Sequence, residues 1–476
     1  MTWTLDHWIN GAHVAPASGS YLDRRSPVDG SLVCRLANGN ADDVAAAVAA
    51  AKAALPAWRR TAPSVRGRQM IEFARLIRAA SDELVADEVA ETGKPRVTAT
   101  SDVEGAAQYF EFYGEVINAT GGQTIDLGGG FHSFTRNEPY GVVGVITPWN
   151  LPINQAARAA APAIAAGNTV VLKPSSLTST SSVRLGELLA EAGIPNGVWN
   201  VVLGGGSSTG PALVNHPDVR KVAFTGSVEV GKELAHLAAD RLIPLTLELG
   251  GKSANVIFDD ADLDKAAVAA VTAFTTNAGQ VCSAGTRLLV QRSIHDALVA
   301  KVAERVRRLQ LGTDIGPVIS EGQYGTVRRY LDVAEAEGAV AVTGGSAAVA
   351  AEVAAERPGF FVPPTVYTGV NNAMRIAQEE VFGPVLAVIP FDTEEEAIGI
   401  ANDSPFGLVA GVWTRDISRA LRVAAEIEAG QVYVNSWWSG GVQNPFGGTK
   451  QSGYGREKGV EALAHYTQTK CVTVAL

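Results

Sequence analysis

The chain has 476 residues, 46% of them hydrophobic and 18% charged, the balance of a globular protein with room for two or three domains. A formal net charge of -10 argues against a nucleic-acid surface, and no apolar run nears the roughly 18 residues that cross a bilayer, so neither nucleic acid nor membrane is an expected partner. The opening MTWTLDHWING lacks the basic start and apolar core of an export signal, and Cys34, Cys282 and Cys471 are spaced for neither disulfides nor a metal, so a cytoplasmic protein with no metal site is expected.

The first 118 residues read as helix-rich. The segment ADDVAAAVAAAKAAL (41–55) opens with a capping Asp and strong helix formers, and apolar residues recur at helical spacing near 64–90 and 98–118. Residues 120–140 turn to alternating β-formers and predict an extended arm or hairpin. A regular rhythm follows. GVVGVIT (141–147), NTVVLKP (168–174), GVWNVV (197–202) and KVAFTG (221–226) predict strands, with helices near 155–165, 180–192 and 207–215 between them. A second rhythm begins near 251: ANVIF, a helix at 262–276, LLVQ, helices near 295–308 and 320–336, VLAVIPF, a helix near 393–402, VAGVWT and QVYVN. Strands alternating with helices imply parallel sheets covered on both faces, an α/β fold of two doubly wound units with a cleft between them.

In such sheets ligands bind beyond the carboxyl ends of the strands, and the loops there are unusual. They carry Pro148-Trp149-Asn150, Lys173-Pro174-Ser175-Ser176, the glycine run 204–206 with Gly210, Thr225-Gly226-Ser227, and Glu248 followed by Gly250-Gly251. Taken singly, each has an ordinary reading. The G-x-G-x-x-x-G spacing is one residue too long for a dinucleotide fingerprint, and no acid follows at the right distance. Strand alternation makes Glu248 a solvent-facing residue. Cys282, in NAGQVCSAGTR, reads as an inert thiol, yet it sits in a polar, glycine-rich loop. Taken together, these loops bring Asn, Lys, Ser, Gly, Glu and Cys to strand ends.

The motifs PWN (148–150), KPS (173–175), FTGS (224–227), LELGGK (247–252), NAGQVC (277–282), EEVFGPV (379–385) and PFGGTKQSG (445–453) resemble, in order and over about 300 residues, those of the NAD(P)-dependent aldehyde dehydrogenase superfamily. The resemblance implies oxidation of an aldehyde to a carboxylic acid. Cys282 matches the nucleophile, which forms a thiohemiacetal and then a thioester. Asn150, with the Cys282 backbone N–H, matches the oxyanion hole, and Glu248 the base that activates water. Glu457 matches a second glutamate used with Lys173 in proton movement.

For the cofactor, Ile146, Pro148 and Trp149 match one wall, and Lys173 and Ser176 the adenosine ribose site. Gly206 and Gly210 match the glycines near adenine and pyrophosphate. Phe224, Gly226, Ser227, Val230 and Leu249 flank the phosphate and nicotinamide region, and Glu380 and Phe382 match the nicotinamide-ribose contacts. Leu151, Arg158, Val281, Ser283 and Phe446 match the substrate pocket. NAD is expected as the preferred cofactor. Ser176 stands where members dedicated to NAD often carry Glu, so NADP is expected to be tolerated. Arg158 could receive a substrate carboxylate, and Trp437 and Trp438 could favour an aromatic aldehyde.

The same resemblance divides the chain into a cofactor-binding unit (1–119 and 140–250), a catalytic unit (251–440) and an oligomerisation arm (120–139 and 465–476), and implies a homodimer or homotetramer. In that reading the C-terminal strand joins a partner's sheet. The nearest rival is a CoA-acylating dehydrogenase, whose members generally lack the base at Glu248. A cysteine hydrolase would need a His beside Cys282, and no motif supplies one. A non-catalytic relative would have no use for Cys282, Glu248 and Asn150 together.

Overall fold

A computed structural model describes residues 3–476. Its architecture is α/β, built on two large parallel-rich sheets and a small antiparallel arm. The eight-stranded sheet runs in the order Gly453–Tyr454, Leu245–Glu248, Val219–Thr225, Val142–Ile146, Thr169–Lys173, Trp199–Val201, His7–Ile9, Ala12–Val14. Its five central strands are parallel. Val142–Ile146 and Thr169–Lys173 are buried along their whole length, as continuous apolar runs covered on both faces must be. The helices Pro152–Ala165 and Thr180–Glu191 cover one face, in a core shared with Pro63–Ala79 and Arg96–Val116. Ala41–Trp58 and Gly206–Asn215 pack on the other.

The seven-stranded sheet runs in the order Val340–Thr343, Thr365–Thr368, Val385–Phe391, Arg287–Gln291, Ala254–Ile257, Val409–Trp413, Gln431–Val434, and only its edge strand Val340–Thr343 is antiparallel. In the arm, Thr467–Ala475 pairs antiparallel with Phe131–Pro139 over nine residues, and Thr124–Ile125 adds a third strand. Thr467–Ala475 is an edge strand. No helix among the described residues is long and apolar enough to cross a membrane.

Several details differ from the sequence reading. The cap of the first helix is Asn40, not an Asp. Its side chain accepts from the Asp42 and Asp43 N–H groups, and Asp43 closes a reciprocal capping box. The segment near 64–90 is two helices, Pro63–Ala79 and Ser81–Thr92, broken at Ala80. Before the first helix the chain forms five short strands, of which His7–Ile9 and Ala12–Val14 extend the eight-stranded sheet at its edge. Strands of two to six residues carry too little periodicity to be read locally; pairing with a preformed edge stabilises them. The turn-rich segment after 440 returns to the first sheet, where Glu248 pairs with Gly453 and Leu247 with Tyr454. That return carries Glu457 to the end of the strand bearing Glu248.

Candidate active site

The parallel register aligns the strand ends. Ile146 lies opposite Lys173 and Phe224, and Thr225 opposite Glu248, so their following loops open on one side of the sheet. Asn150, in the loop before helix Pro152–Ala165, is buried and held from both ends. Its carbonyl accepts from Lys94 Nζ at 3.0 Å and from Asn277 Nδ2 at 2.9 Å. Its own Nδ2 donates to the Gln280 carbonyl at 2.8 Å. Lys94 is itself fully buried, 2.7 Å from Asp102 and 3.6 Å from Glu88, so its charge is matched where it grips the loop. No sequence motif pointed to Lys94; its signal was only a charged residue at the start of an otherwise apolar helical region.

Cys282 follows a turn built from three successive left-handed residues, Asn277 (φ 53°), Ala278 (φ 55°) and Gly279 (φ 72°). A non-glycine residue costs about 1–2 kcal/mol in that conformation. The turn survives because the Gln280 side chain ties it down: its Nε2 donates to the Asn277 carbonyl at 2.9 Å and its Oε1 accepts from Ile319 N–H at 2.9 Å. Gly251 permits the close approach of the next strand end, since a β-carbon there would lie 2.4 Å from the Cys282 carbonyl oxygen. Cys282 is partly exposed at the base of a cleft and lines two cavities at once. Burial pushes its thiol up to about 12, against the opposing pull of Arg158. The resting sulfur is a thiol that needs a base to become a nucleophile.

Glu248 is buried, not solvent-facing, because the returning segment at Gly453 covers its strand end. Both carboxyl oxygens lack a hydrogen-bond partner among the described residues. Burial, reinforced by the nearby negative charge of Glu457, raises its pKa well above the usual carboxylate range. Glu457 is ion-paired with Arg158, and both are buried. The expected partnership of Glu457 with Lys173 does not form: Lys173 Nζ donates to the Pro174 carbonyl at 3.0 Å. The strands ending in Lys173 and Glu248 are three places apart in the sheet, roughly 14 Å at 4.7–4.9 Å per strand. Arg158 is therefore the cation of Glu457: its charge is matched through Nε, while its Nη2 has no hydrogen-bond partner among the described residues.

The first of the two cavities, 240 Å³, is lined by Pro148, Trp149, Gly226, Ser227, Leu249, Glu380 and Phe382, together with Asn150, Glu248 and Cys282. Trp149 and Phe382 meet edge to face, ring centres 5.3 Å apart. Phe382 is left-handed (φ 54°) and is held there by Gln323 Nε2, which donates to the Phe382 carbonyl at 2.9 Å. Glu380 accepts from Gly251 N–H at 3.0 Å, and burial pushes its carboxyl up to about 7. A β-carbon at Gly250 would lie 2.4 Å from its oxygen. Thr225, Gly250 and Gln323 also line this cavity; the first two stood in the strand-end loops without an assigned contact, while Gln323 lies on a helix with no motif of its own.

Beyond the cavity lie the other residues that the resemblance matched to a dinucleotide. Ser227 caps helix Val228–Ala239 by accepting from Val230 N–H, a helix start that suits a phosphate. Val230 is 40% exposed beside it, and β-carbons at Gly206 and Gly210 would meet nothing within 4 Å, so the chain leaves open space along this face. Ser176, half-buried, follows Lys173-Pro174-Ser175, and burial lowers the Lys173 ammonium to about 8.

The second cavity, 410 Å³, brings together Leu151, Arg158, Val281, Ser283 and Phe446, and is lined also by Tyr109, Gln155, Tyr433, Trp438 and Lys458. Trp438 Nε1 donates to Ser283 Oγ at 3.0 Å. Trp437 does not face this cavity but packs against Tyr433, ring centres 5.8 Å apart. The wall contributed by Tyr109 comes from helix Arg96–Val116 and left no local signal in the sequence.

A thiol that lines two cavities, with an amide and a neutralised carboxyl in one of them, suits an enzyme that works on a carbonyl carbon. Residues 13–472 match the Aldehyde dehydrogenase family, and the chain belongs to that family. It is 43% identical to a betaine aldehyde dehydrogenase of Sinorhizobium fredii and 44% identical to betaine aldehyde dehydrogenase 1 of Rhizobium meliloti, in each case over 99% of this chain and 97% of the relative. Its structure superposes on an indole-3-acetaldehyde dehydrogenase solved with NAD+ with a TM-score of 0.97, at 41% identity, covering 100% of this chain and 97% of the other. The chain is an enzyme that oxidises an aldehyde to a carboxylic acid with NAD(P).

Proposed function

We propose that Cys282, Asn150 and Glu248 carry this reaction, on the strength of one observation: all three line one cavity, and Cys282 also lines the other. The Cys282 thiol gives up its proton to deprotonated Glu248, which lines the same cavity and passes it on to solvent, and the sulfur attacks the aldehyde carbonyl to form a thiohemiacetal. The Asn150 side-chain amide and the Cys282 N–H, which has no hydrogen-bond acceptor among the described residues, receive the oxyanion. Asn150 needs no reorganisation to do so, because Lys94, Asn277 and Gln280 fix it beforehand. Trp149, Ser227, Glu380 and Phe382, with Ile146, Pro148, Lys173, Ser176, Gly206, Gly210, Phe224, Gly226, Val230 and Leu249, would hold the dinucleotide, which when bound would supply the hydride acceptor for oxidation of the thiohemiacetal to a thioester. Glu248, deprotonated, takes a proton from water; hydroxide adds to the thioester, the acid departs and the thiol is restored. Glu457 and Arg158 set the charge around Glu248. A base facing the cleft at this position favours water over coenzyme A as the acyl acceptor.

In this reading the eight-stranded unit holds the cofactor and the seven-stranded unit supplies the nucleophile. The exposed edge of Thr467–Ala475 supports assembly into a homodimer or homotetramer, and three cysteines without a disulfide suit the cytoplasm. NAD is the preferred cofactor, with NADP tolerated at Ser176. The test is formation of reduced nicotinamide from a simple aldehyde. Cys282→Ala should abolish it, and Glu248→Gln should retain only a slowed single-turnover burst while losing steady turnover. Full turnover in Cys282→Ala would overturn the assignment.

A further inference from the structure

The substrate cavity is lined by two cationic side chains, and a third stands behind its wall. Two of these three are matched: Arg158 by Glu457, and Lys94 by Asp102 and Glu88. Lys458 is different. It lines the cavity, its Nζ lies 5.9 Å from the centre of the Phe446 ring, and it has no ion pair or hydrogen bond among the described residues. The charge nearest enough to act on it is Arg158, which repels it. Its backbone is left-handed (φ 61°), a conformation that a glycine would hold without cost and a lysine does not. Strain of this kind persists where the surroundings impose it, commonly at a working site. Glu457, one residue earlier, is turned to Arg158 and Glu248, while Lys458 is turned into the cavity.

We propose that Lys458 is the specificity residue of this pocket and that it selects an aldehyde carrying a carboxylate at the end remote from the carbonyl. The inference rests on the aldehyde dehydrogenase reading and goes beyond it by naming the substrate class. The sequence had pointed to Arg158 for such a role; its pairing with Glu457 leaves Lys458 as the unmatched cation. The aromatic lining of Tyr109, Tyr433, Trp438 and Phe446 accommodates the body of such a substrate, aliphatic or aromatic. It does not favour a quaternary ammonium group, because Arg158 lies 5.0 Å from the centre of the Phe446 ring and, with Lys458, already occupies it. Burial and Arg158 lower the Lys458 ammonium to about 8, a penalty that an incoming carboxylate relieves.

The experiment compares kcat/KM for succinic semialdehyde, butanal and a trimethylammonium aldehyde of similar length, in the wild type and in Lys458→Met, Lys458→Arg and Lys458→Glu. All three replacements keep a β-carbon at the left-handed position, so backbone strain is common to them. The wild type should prefer the carboxylate over butanal by about tenfold or more, carried by KM, as a charge-assisted contact predicts. That ratio should collapse in Lys458→Met, return in Lys458→Arg, and invert toward the cation in Lys458→Glu. In the wild type it should also fall as pH rises through about 8. The other charged groups around the pocket, Arg158 with Glu457 and Lys94 with Asp102, act on all three substrates. An unchanged ratio in Lys458→Met, or a wild-type preference for the cationic aldehyde, overturns the inference. Absence of reduced cofactor with every aldehyde would instead overturn the reading on which it rests.

Discussion

At the scale of single residues, the site is governed by how burial and neighbouring charge hold protons. Cys282 and Glu248 both rest in their neutral forms, the first pushed up to about 12 and the second raised well above its ordinary value. Glu248 can take a proton from water only after losing its own, so turnover should rise with pH along an acid limb. Glu457 is the largest charge keeping that proton on Glu248. In Glu457→Gln the like charge disappears and Arg158 is released to act on Glu248, and both changes lower its pKa. The acid limb of the pH–kcat profile should therefore move to lower pH in this variant. A limb that stays in place or moves upward would remove Glu457 from the proton argument. The motifs named Cys282, Asn150 and Glu248, which line one cavity, but paired Glu457 with Lys173, where the structure pairs it with Arg158. The choice between Lys173 and Arg158 depends on how helix Pro152–Ala165 lies against the returning segment that carries Glu457.

At the scale of elements, the long apolar strands and the helices between them were legible, because continuous burial writes itself into continuous runs such as Val142–Ile146 and Val385–Phe391. Short elements were not. Helix Ile417–Glu426 and the five N-terminal strands went unread, since their stability comes from what they pack against. The turn at Asn277 shows the limit most clearly. Its left-handed backbone has no propensity signature, yet it delivers both the Asn277 amide and the Cys282 loop. In Asn277→Gly the turn keeps its conformation without strain, and the hydrogen bond to the Asn150 carbonyl is lost together with a longer one, 3.4 Å, to the Gln280 carbonyl. Such a bond contributes about 0.5–1.5 kcal/mol, so kcat should fall about two- to tenfold with KM little changed. Steady-state kinetics with unaltered thermal stability would support this; a change confined to KM would contradict it.

At the scale of the whole molecule, the sheets set which loops meet, and the proposed assembly runs through the arm. Deleting residues 468–476 removes most of the strand that pairs with Phe131–Pro139. The truncated chain should be monomeric by light scattering, while an unchanged mass would show that assembly does not run through this strand. The cofactor face is equally testable. Ser176→Glu places a carboxylate where a 2′-phosphate would lie, and like-charge contact costs several kcal/mol, so the NAD to NADP ratio of kcat/KM should rise by about tenfold or more. An unchanged ratio would place the ribose elsewhere.

By itself the sequence determined the α/β class and the alternation of strands and helices along the chain, and its motifs pointed to Cys282, Asn150 and Glu248 as candidates for one site. Those properties follow from local periodicity and from short motifs whose residues do chemistry in place. Tertiary structure alone decided that Lys94 grips Asn150, that Glu457 answers Arg158, and that Lys458 stands unmatched in the substrate cavity. Each of these is a contact, or its absence, between segments far apart in the chain. Charge compensation is a property of distance in space, which one-dimensional spacing does not record.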